Sequence, residues 1–518
     1  MNNMQAYSER LDKLYIRGFL LTNDKAIDSF TMLKEWTRVD INEMLLFVHP
    51  LQHQYYVENG EVSALLIGHA YNPFTKEYQE SSILSECLNK LKRSDDMFWN
   101  YFNQLTGVFA FFVFFGDRVW MVGDPSGMKT IFFGLHDHKF YASSHTKLLD
   151  DLLKLNKDPY INRLINYKYF PLLGNSLPGD LTQFRDIKRV TPNHCYVYEK
   201  DLVSKFRFFT PYNIQGKTDK ELAQEAGQIL HSSLEMVTKK WKKPAISLTG
   251  GCDSKTTLAC AAGLYDKFQY FSYYSSEAEK VDCLAASEIC DHLHLKHSIY
   301  EVPLSKSESS EYETVKRIIR SNCGDILDPN ENDVYKRIYL DKVTNYDVEV
   351  KSWASEIGRA YYSKRFNGRT RFPKEPTGRQ CTTLYKFFLF DRKLVKQTDL
   401  VFEEFIKEYY QTDQVSPIPW FDQFFWEFRV PAWNGLVITG EHSYTSDIDI
   451  PYNNRMLLTI LLSVSLKDRI NDSLYTEIRR IMNPMVDETG VSVTNLHHTK
   501  VRAIFENLYY VINSSVPF

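Results

Sequence analysis

The sequence predicts a chain of mixed α/β and α+β class, and three observations carry that reading. Residues up to about 205 are strand-rich: the apolar run 108–115, the turn Gly116-Asp117-Arg118 and the returning run 119–122 read as a hairpin. Residues 244–259 pass from a short apolar run through Gly250-Gly251 into a helix expected to open at Ser254. From Ala245 to roughly residue 360, strand-like and helix-like stretches alternate as in a parallel sheet, and from about 380 the chain reads as largely helical.

The other elements follow from the same signals. Segments 61–67, 140–144 and 194–199 are strand-like, and 79–92 is helical. Residues 211–217 read as a connector, which divides the chain into units 1–210 and 211–518. Past it, Thr218 and Glu221 make a capping box. Leu222, Ala226, Ile229, Leu230, Leu234 and Val237 then recur on one helical face.

Composition narrows the function classes. Charged residues make up 25% of the 518, with a net charge of −3, so nothing points to a nucleic-acid or membrane partner. The eight cysteines show no C-x-x-C pair and no zinc spacing, and read as reduced thiols. The N-terminus lacks a signal-peptide core, and no apolar run reaches the roughly 18 residues of a membrane span. A soluble, cytoplasmic protein is expected.

The segment 244–259 carries the chemistry. A strand, a glycine turn and a helix N-terminus in that order make an anion site. Glycine lets the backbone come close, amide N–H groups point at the ligand, and the helix dipole favours negative charge. Asp253 does not itself suit an anion, so it points to a bridging metal or a bound amine. Ser247, Leu248, Thr249, Gly250, Gly251, Asp253 and Ser254 together fit a site for the phosphates of ATP. A Walker-type loop does not explain them: before Gly216-Lys217-Thr218, Pro211 stands where that motif needs glycine, and no strand leads in. The plainer alternative is an ordinary βα turn.

Thr249-Gly250-Gly251-Cys252-Asp253-Ser254 resembles the S-G-G-x-D-S loop of ATP pyrophosphatases, enzymes that cut ATP between the α- and β-phosphates. In the front half, Gly107-Val-Phe-Ala-Phe111, Gly123-Asp-Pro-Ser-Gly-Met-Lys129, Phe140-Tyr-Ala-Ser-Ser144 and Ile187-Lys-Arg-Val-Thr-Pro192 resemble motifs of the asparagine synthetase superfamily. The whole chain is similar to that superfamily. The resemblance implies an Ntn-hydrolase-like αββα sandwich followed by a PP-loop α/β synthetase domain with added helices. The family's glutaminase nucleophile is a cysteine at residue 2. Asn2 stands here and the nearest cysteine is Cys87, which implies a retained front domain without glutamine hydrolysis. β-Lactam synthetases and lasso-peptide cyclases share that loss.

The resemblance also assigns residues in the back half. Phe271-Ser272-Tyr273 looks like the strand whose end frames the adenine, which implies that Tyr273 touches the base. Asp282, with Ala285 and Ala286, matches the acidic residue of a second phosphate element, beside the plainer reading of an exposed Asp at a helix start. In Lys351-Ser-Trp-Ala-Ser-Glu-Ile-Gly-Arg-Ala-Tyr361, Glu356 aligns with a glutamate beside the acyl-adenylate. Arg359 replaces an aspartate that helps hold magnesium, exchanging a metal ligand for a phosphate or carboxylate clamp. Ile450-Pro-Tyr-Asn-Asn-Arg455 resembles V-P-F-L-D-x-x-L after the helix holding Trp426, Glu427 and Arg429, where a structural role is the plainer one. Lys500 is the candidate for a lysine that neutralises the α- and β-phosphates, although a solvated lysine fits it equally. Cys290-Asp-His-Leu-His-Leu-Lys-His297 looks like a metal cluster, yet His297 falls where the family ends its helix with a histidine; His497-His498 takes no role.

The implied function is an ATP-dependent ligase that adenylates a small-molecule or peptide carboxylate, releases pyrophosphate and transfers the acyl group to an amine or ammonia. Asp253 and Asp282 would hold Mg²⁺, with Glu356, Arg359 and Lys500 as catalytic groups. A second copy of the chain or a pathway protein is the expected macromolecular partner. Two alternatives stand beside this. Arg359 disfavours an ammonia-dependent asparagine synthetase, and the intact Gly250, Gly251, Asp253 and Ser254 disfavour a non-catalytic nucleotide-binding relative.

Overall fold

Strands of the front half carry apolar residues on both faces, and this dictates how they stack. The computed structural model describes residues 10–173, 176–304, 309–326, 328–385, 389–410, 416–491 and 500–515. The first strands are β1 (Phe19–Thr22), β2 (Thr37–Ile41), β3 (Met44–Val48), β4 (Gln54–Asn59), β5 (Val62–Tyr71) and β6 (Thr106–Phe115). They are followed by β7 (Arg118–Gly123), β8 (Phe132–His136), β9 (Lys139–Ser143), β10 (Ile187–Arg189), β11 (His194–Glu199) and β12 (Leu202–Arg207). They form two antiparallel sheets, ordered β10-β8-β9-β1-β3-β2 and β12-β11-β7-β6-β5-β4.

On β6, Ala110, Phe112 and Phe114 pack between the sheets against Leu46 and Phe133. Phe109, Phe111 and Val113 point the other way, among Ile83, Leu84, Phe98 and Phe102 of the helices Glu80–Leu91 and Asp95–Phe102. Leu148, Leu149 and Leu152 of the helix Thr146–Leu153 join Leu20, Leu45 and Tyr141 on the outer face of the other sheet. The layers are therefore helix, sheet, sheet, helix. A strand buried on both faces reads as a continuous apolar run instead of an alternating one.

The back half is built on a parallel sheet. Thr218 caps the helix Asp219–Lys240 with both hydrogen bonds of the capping box present. Its apolar face enters the largest core cluster with Ile246, Val348 and Ile448. The strands β13 (Pro244–Ser247), β14 (Gln269–Tyr274), β15 (His297–Glu301), β16 (Val348–Val350) and β17 (Asp447–Asp449) lie in the order β15-β14-β13-β16-β17. All four pairings are parallel. The chain steps outward from β13 to β15, then returns to the far side of β13. The winding direction thus reverses between β13 and β16, which leaves a crevice at their carboxyl ends.

Two expectations need correcting. The helix after the glycine turn opens at Cys252, not at Ser254. β17 comes from the stretch expected to be largely helical; three residues, two of them Asp, give no apolar alternation to read. Before it, the helical run from Trp420 to Gly440 widens to i→i+5 turns at Phe425–Arg429 and Pro431–Gly435, where Pro431 offers no backbone donor. Among the described residues, no helix is long and apolar enough to cross a membrane.

Buried polar groups join the halves. Asn453 donates to the Gly107 carbonyl at 2.7 Å and to Asp124 at 2.8 Å, and Arg455 Nε donates to Asn193 at 3.0 Å. Trp426 Nε1 reaches the Pro125 carbonyl at 2.8 Å. Glu427, fully buried, takes Arg207 bidentately at 2.7 and 2.9 Å. Arg207→Ala leaves that buried carboxylate without its cation and is expected to destabilise the fold by about 3–5 kcal/mol, whereas Arg207→Met with Glu427→Leu should lose much less. Urea denaturation of the three proteins reads the difference, and equal losses would contradict it.

Candidate functional site

The glycine loop sits on the crevice. Ser247 Oγ donates to the Val350 carbonyl at 3.4 Å, stitching β13 to β16 where the crevice opens. The Thr249 N–H donates to Ser254 Oγ at 3.0 Å and the Gly251 N–H to Thr249 Oγ1 at 3.3 Å. The Gly250 amide lies near the Asp282 carboxylate and favours its charged form. Gly251 precedes the helix Cys252–Cys260 and supplies no side-chain cap. The N–H groups of the first turn therefore have no intrahelical partner, and the positive end of the helix dipole is uncovered there.

A cleft of about 380 Å³ is lined by Ser247, Leu248, Thr249, Gly251, Asp253, Ser254, Tyr273, Asp282 and Glu356. These residues come from the end of β13 and the loop after it, the helix Cys252–Cys260, the end of β14, the helix Glu277–His292 and the segment after β16. Asp282 is not at a helix start, because Ser276 caps that helix and Asp282 lies half-buried further along it. Burial raises its pKa, against the Gly250 amide, which favours the charged form. Tyr273, at the mouth of β14, accepts a hydrogen bond from Arg337 Nη2 at 3.3 Å, with the guanidinium 5.7 Å from its ring centre.

Glu356 and Asp253 form the acidic side. Glu356 lies in a short helical turn, Ser355–Arg359, between Ala354 at φ 69° and Ala360 at φ 50°. Left-handed alanines are strained, and such strain collects at functional segments. Among the described residues, Glu356 Oε2 is buried without a partner. Burial first, and then the Asp253 charge, push its pKa up to about 7, against its own backbone amide and Arg359. Asp253 Oδ1 is also buried without a partner, while Oδ2 receives Arg359 Nη1.

Arg359 was expected as a clamp on phosphate or substrate carboxylate, and here the structure differs. Its Nε and Nη2 each stand 2.9 Å from the two oxygens of Asp472, and Lys364 Nζ joins Asp472 at 2.5 Å. With Asp253 on Nη1, three of the five guanidinium N–H donors go to protein carboxylates, and Arg359 is absent from the cleft lining. It orients Asp253. Lys500 opens the helix Lys500–Ser515, but its side chain, like Asn2 and His497-His498, lies outside the described residues. His297 does not end a helix. It begins β15 with Nε2 2.8 Å from Ser272 Oγ, and among the described residues no three or more His, Cys, Asp or Glu side chains gather as a metal site.

The cleft also takes residues that motif reading gave no role, among them Ser272, Glu279, Lys336, Lys351, Trp353 and His442. Lys336 Nζ lies 2.5 Å from Glu279 and 3.2 Å from Asp333. Lys336 sits in the helix Glu331–Val343, which carries no glycine turn or spacing to mark it. Lys351 stood inside a motif window, but no family position drew attention to it.

No protein-family model matches the sequence, and no curated protein matches it. Three solved structures show weak likeness. The allosteric regulatory enzyme of purine biosynthesis is 13% identical over 51% of this chain and 62% of its own, at a TM-score of 0.23. The glutamine phosphoribosylpyrophosphate amidotransferase of B. subtilis, complexed with ADP and GMP, is 11% identical over 80% and 92%, also at 0.23. The glutamine-dependent NAD+ synthetase of Acinetobacter baumannii, in complex with ADP, is 13% identical over 46% and 53%, at 0.20. The chain thus spans 62% of the first and 53% of the third, and likeness at these TM-scores carries no argument for fold or function.

The Glu356 shift has a definite sign. Its folded pKa lies above the ordinary 4.5, so the folded state holds the proton more tightly, and stability is lost as pH rises through about 7. Glu356→Gln removes that loss in the ligand-free protein. Its stability relative to wild type is expected to climb between pH 5 and pH 8, by up to roughly 3 kcal/mol. Chemical denaturation at both pH values checks it, and a constant difference would contradict the assignment.

Proposed function

We propose that this chain is an ATP-dependent, AMP-forming ligase that adenylates a small-molecule or peptide carboxylate and passes the acyl group to an amine. Residues 1–210 then form a unit without glutaminase activity, and 211–518 the synthetase unit. One observation carries the reading. An uncapped helix N-terminus behind a glycine turn, the carboxylates of Asp253 and Asp282, and a high-pKa Glu356 converge on one cleft at the switch point of a parallel sheet.

The chemistry follows from those groups. The first-turn N–H groups and Ser254 receive the polyphosphate. A substrate carboxylate oxygen attacks the α-phosphorus, the bond to the β-phosphate oxygen breaks, and pyrophosphate leaves. The amine nitrogen then attacks the acyl carbon, AMP departs, and Glu356 takes the proton. A base with a pKa near 7 suits that transfer at neutral pH. Asp253, with its unpartnered Oδ1, and Asp282 form an all-oxygen donor set that fits a magnesium ion carried on the phosphates, which when bound offsets their negative charge. Arg359 holds Asp253 in place for this task. Most of the acceleration comes from positioning and fixed charge.

A pyrophosphate-release screen over carboxylates with amine donors tests the reading. Asp253→Ala is expected to abolish release, and unchanged turnover would sink the mechanism. Glu356→Gln should leave pyrophosphate release largely intact and slow amide formation by about 10²–10⁴-fold.

A further inference from the structure

The mechanism above leaves two buried lysines in the cleft unused, Lys336 and Lys351. Lys351 directly follows β16, and its backbone N–H donates to the Asp449 carbonyl at 2.9 Å, so its side chain starts at the carboxyl edge of the sheet. Its neighbours on both sides touch the phosphate-loop unit. The Val350 carbonyl accepts from Ser247 Oγ at 3.4 Å, and Ser352 Oγ lies 2.7 Å from Thr257 Oγ1 in the loop's own helix. Lys351 is 5% exposed and lines the cleft.

An ammonium offers three donors. Among the described residues, Lys351 Nζ has one acceptor, Glu349 Oε1 at 2.5 Å. The Trp353 ring, 5.6 Å from Nζ, covers one side without supplying an oxygen. Glu349 is itself wholly buried, with Oε2 unpartnered, so the pair is under-satisfied on both sides. Unmade hydrogen bonds on a buried charge are costly, and an anionic oxygen entering the cleft would relieve that cost. Lys336, by contrast, already has two carboxylates.

We propose that Lys351 is a phosphate-binding residue whose unused N–H groups take an anionic oxygen of the nucleotide. The assignment rests on the nucleotide reading of this cleft. It is tested by calorimetric titration of the full chain with ATP, AMP and pyrophosphate, for wild type, Lys351→Met and Glu349→Gln, with thermal melts reporting folding. Lys351→Met is expected to weaken ATP binding by roughly 10- to 100-fold. A parallel loss for pyrophosphate places the contact on the β- or γ-phosphate, and a parallel loss for AMP places it on the α-phosphate; either supports the assignment. Glu349→Gln frees the ammonium from its pair and should keep or tighten ATP binding. That variant carries the test if Lys351→Met does not fold. Unchanged affinity for all three ligands in folded Lys351→Met, or a tenfold weakening of ATP binding in Glu349→Gln, overturns the assignment while leaving the nucleotide site standing. A wild-type chain that binds none of the three overturns the nucleotide reading, and this assignment with it.

Discussion

The geometry of the crevice hangs on the buried carboxylate of Asp449. It is fully buried and accepts from the Tyr71 hydroxyl at 3.0 Å, with His69 Nε2 at 3.1 Å, both on β5 of the front half. Burial alone would lower the His69 pKa, but Asp447 and Asp449 outweigh it and raise it to about 9, so His69 is charged at neutral pH. β17 is only three residues long, too short to hold a register by its own ladder bonds. The front half pins that strand, and the Asp449 carbonyl in turn positions Lys351. A buried charge that loses its partner is strongly destabilising, so the sandwich cannot drift from the parallel sheet without great cost. This gives the front half a structural role independent of any reaction of its own.

The cleft itself is organised by alternating charge. Lys364, Asp472, Arg359 and Asp253 form a chain of opposite neighbours that ends on a carboxylate with one free buried oxygen. Because Arg359 is held bidentately by Asp472, it restrains Asp253 instead of swinging toward a ligand. Glu356, in contrast, is kept at high proton affinity first by burial and then by the Asp253 charge it faces. Two acidic residues near each other thus receive different environments, one paired and one poised to exchange a proton.

Much of this was legible in the chain because the signals are local. The capping box at Thr218 and Glu221 shows both of its hydrogen bonds, and the hairpin around Gly116-Asp117-Arg118 appears as read. Ser247, Leu248, Thr249, Gly251, Asp253, Ser254, Tyr273, Asp282 and Glu356 line one cleft, while Gly250 is not part of its lining. What failed to show lacks a local signature. Asp472 meets Arg359 across 113 positions, so the arginine's role could not be separated from that of a ligand clamp. Asn453 and Arg455, in a segment read as structural, prove to be pins between the halves.

The sequence by itself determined where the helix, strand and glycine-turn signals fall, since backbone conformational preference and apolar periodicity act over a few neighbouring residues. It also marked the glycine loop proposed to hold phosphate, a pattern contained in six consecutive positions. Only the tertiary structure decided which charges face one another. It assigned Arg359 to Asp253 and Asp472, left Glu356 Oε2 and Asp253 Oδ1 without partners, and brought Lys351 to the crevice. Electrostatics acts through space and depends on burial, and neither distance nor burial is written in residue order.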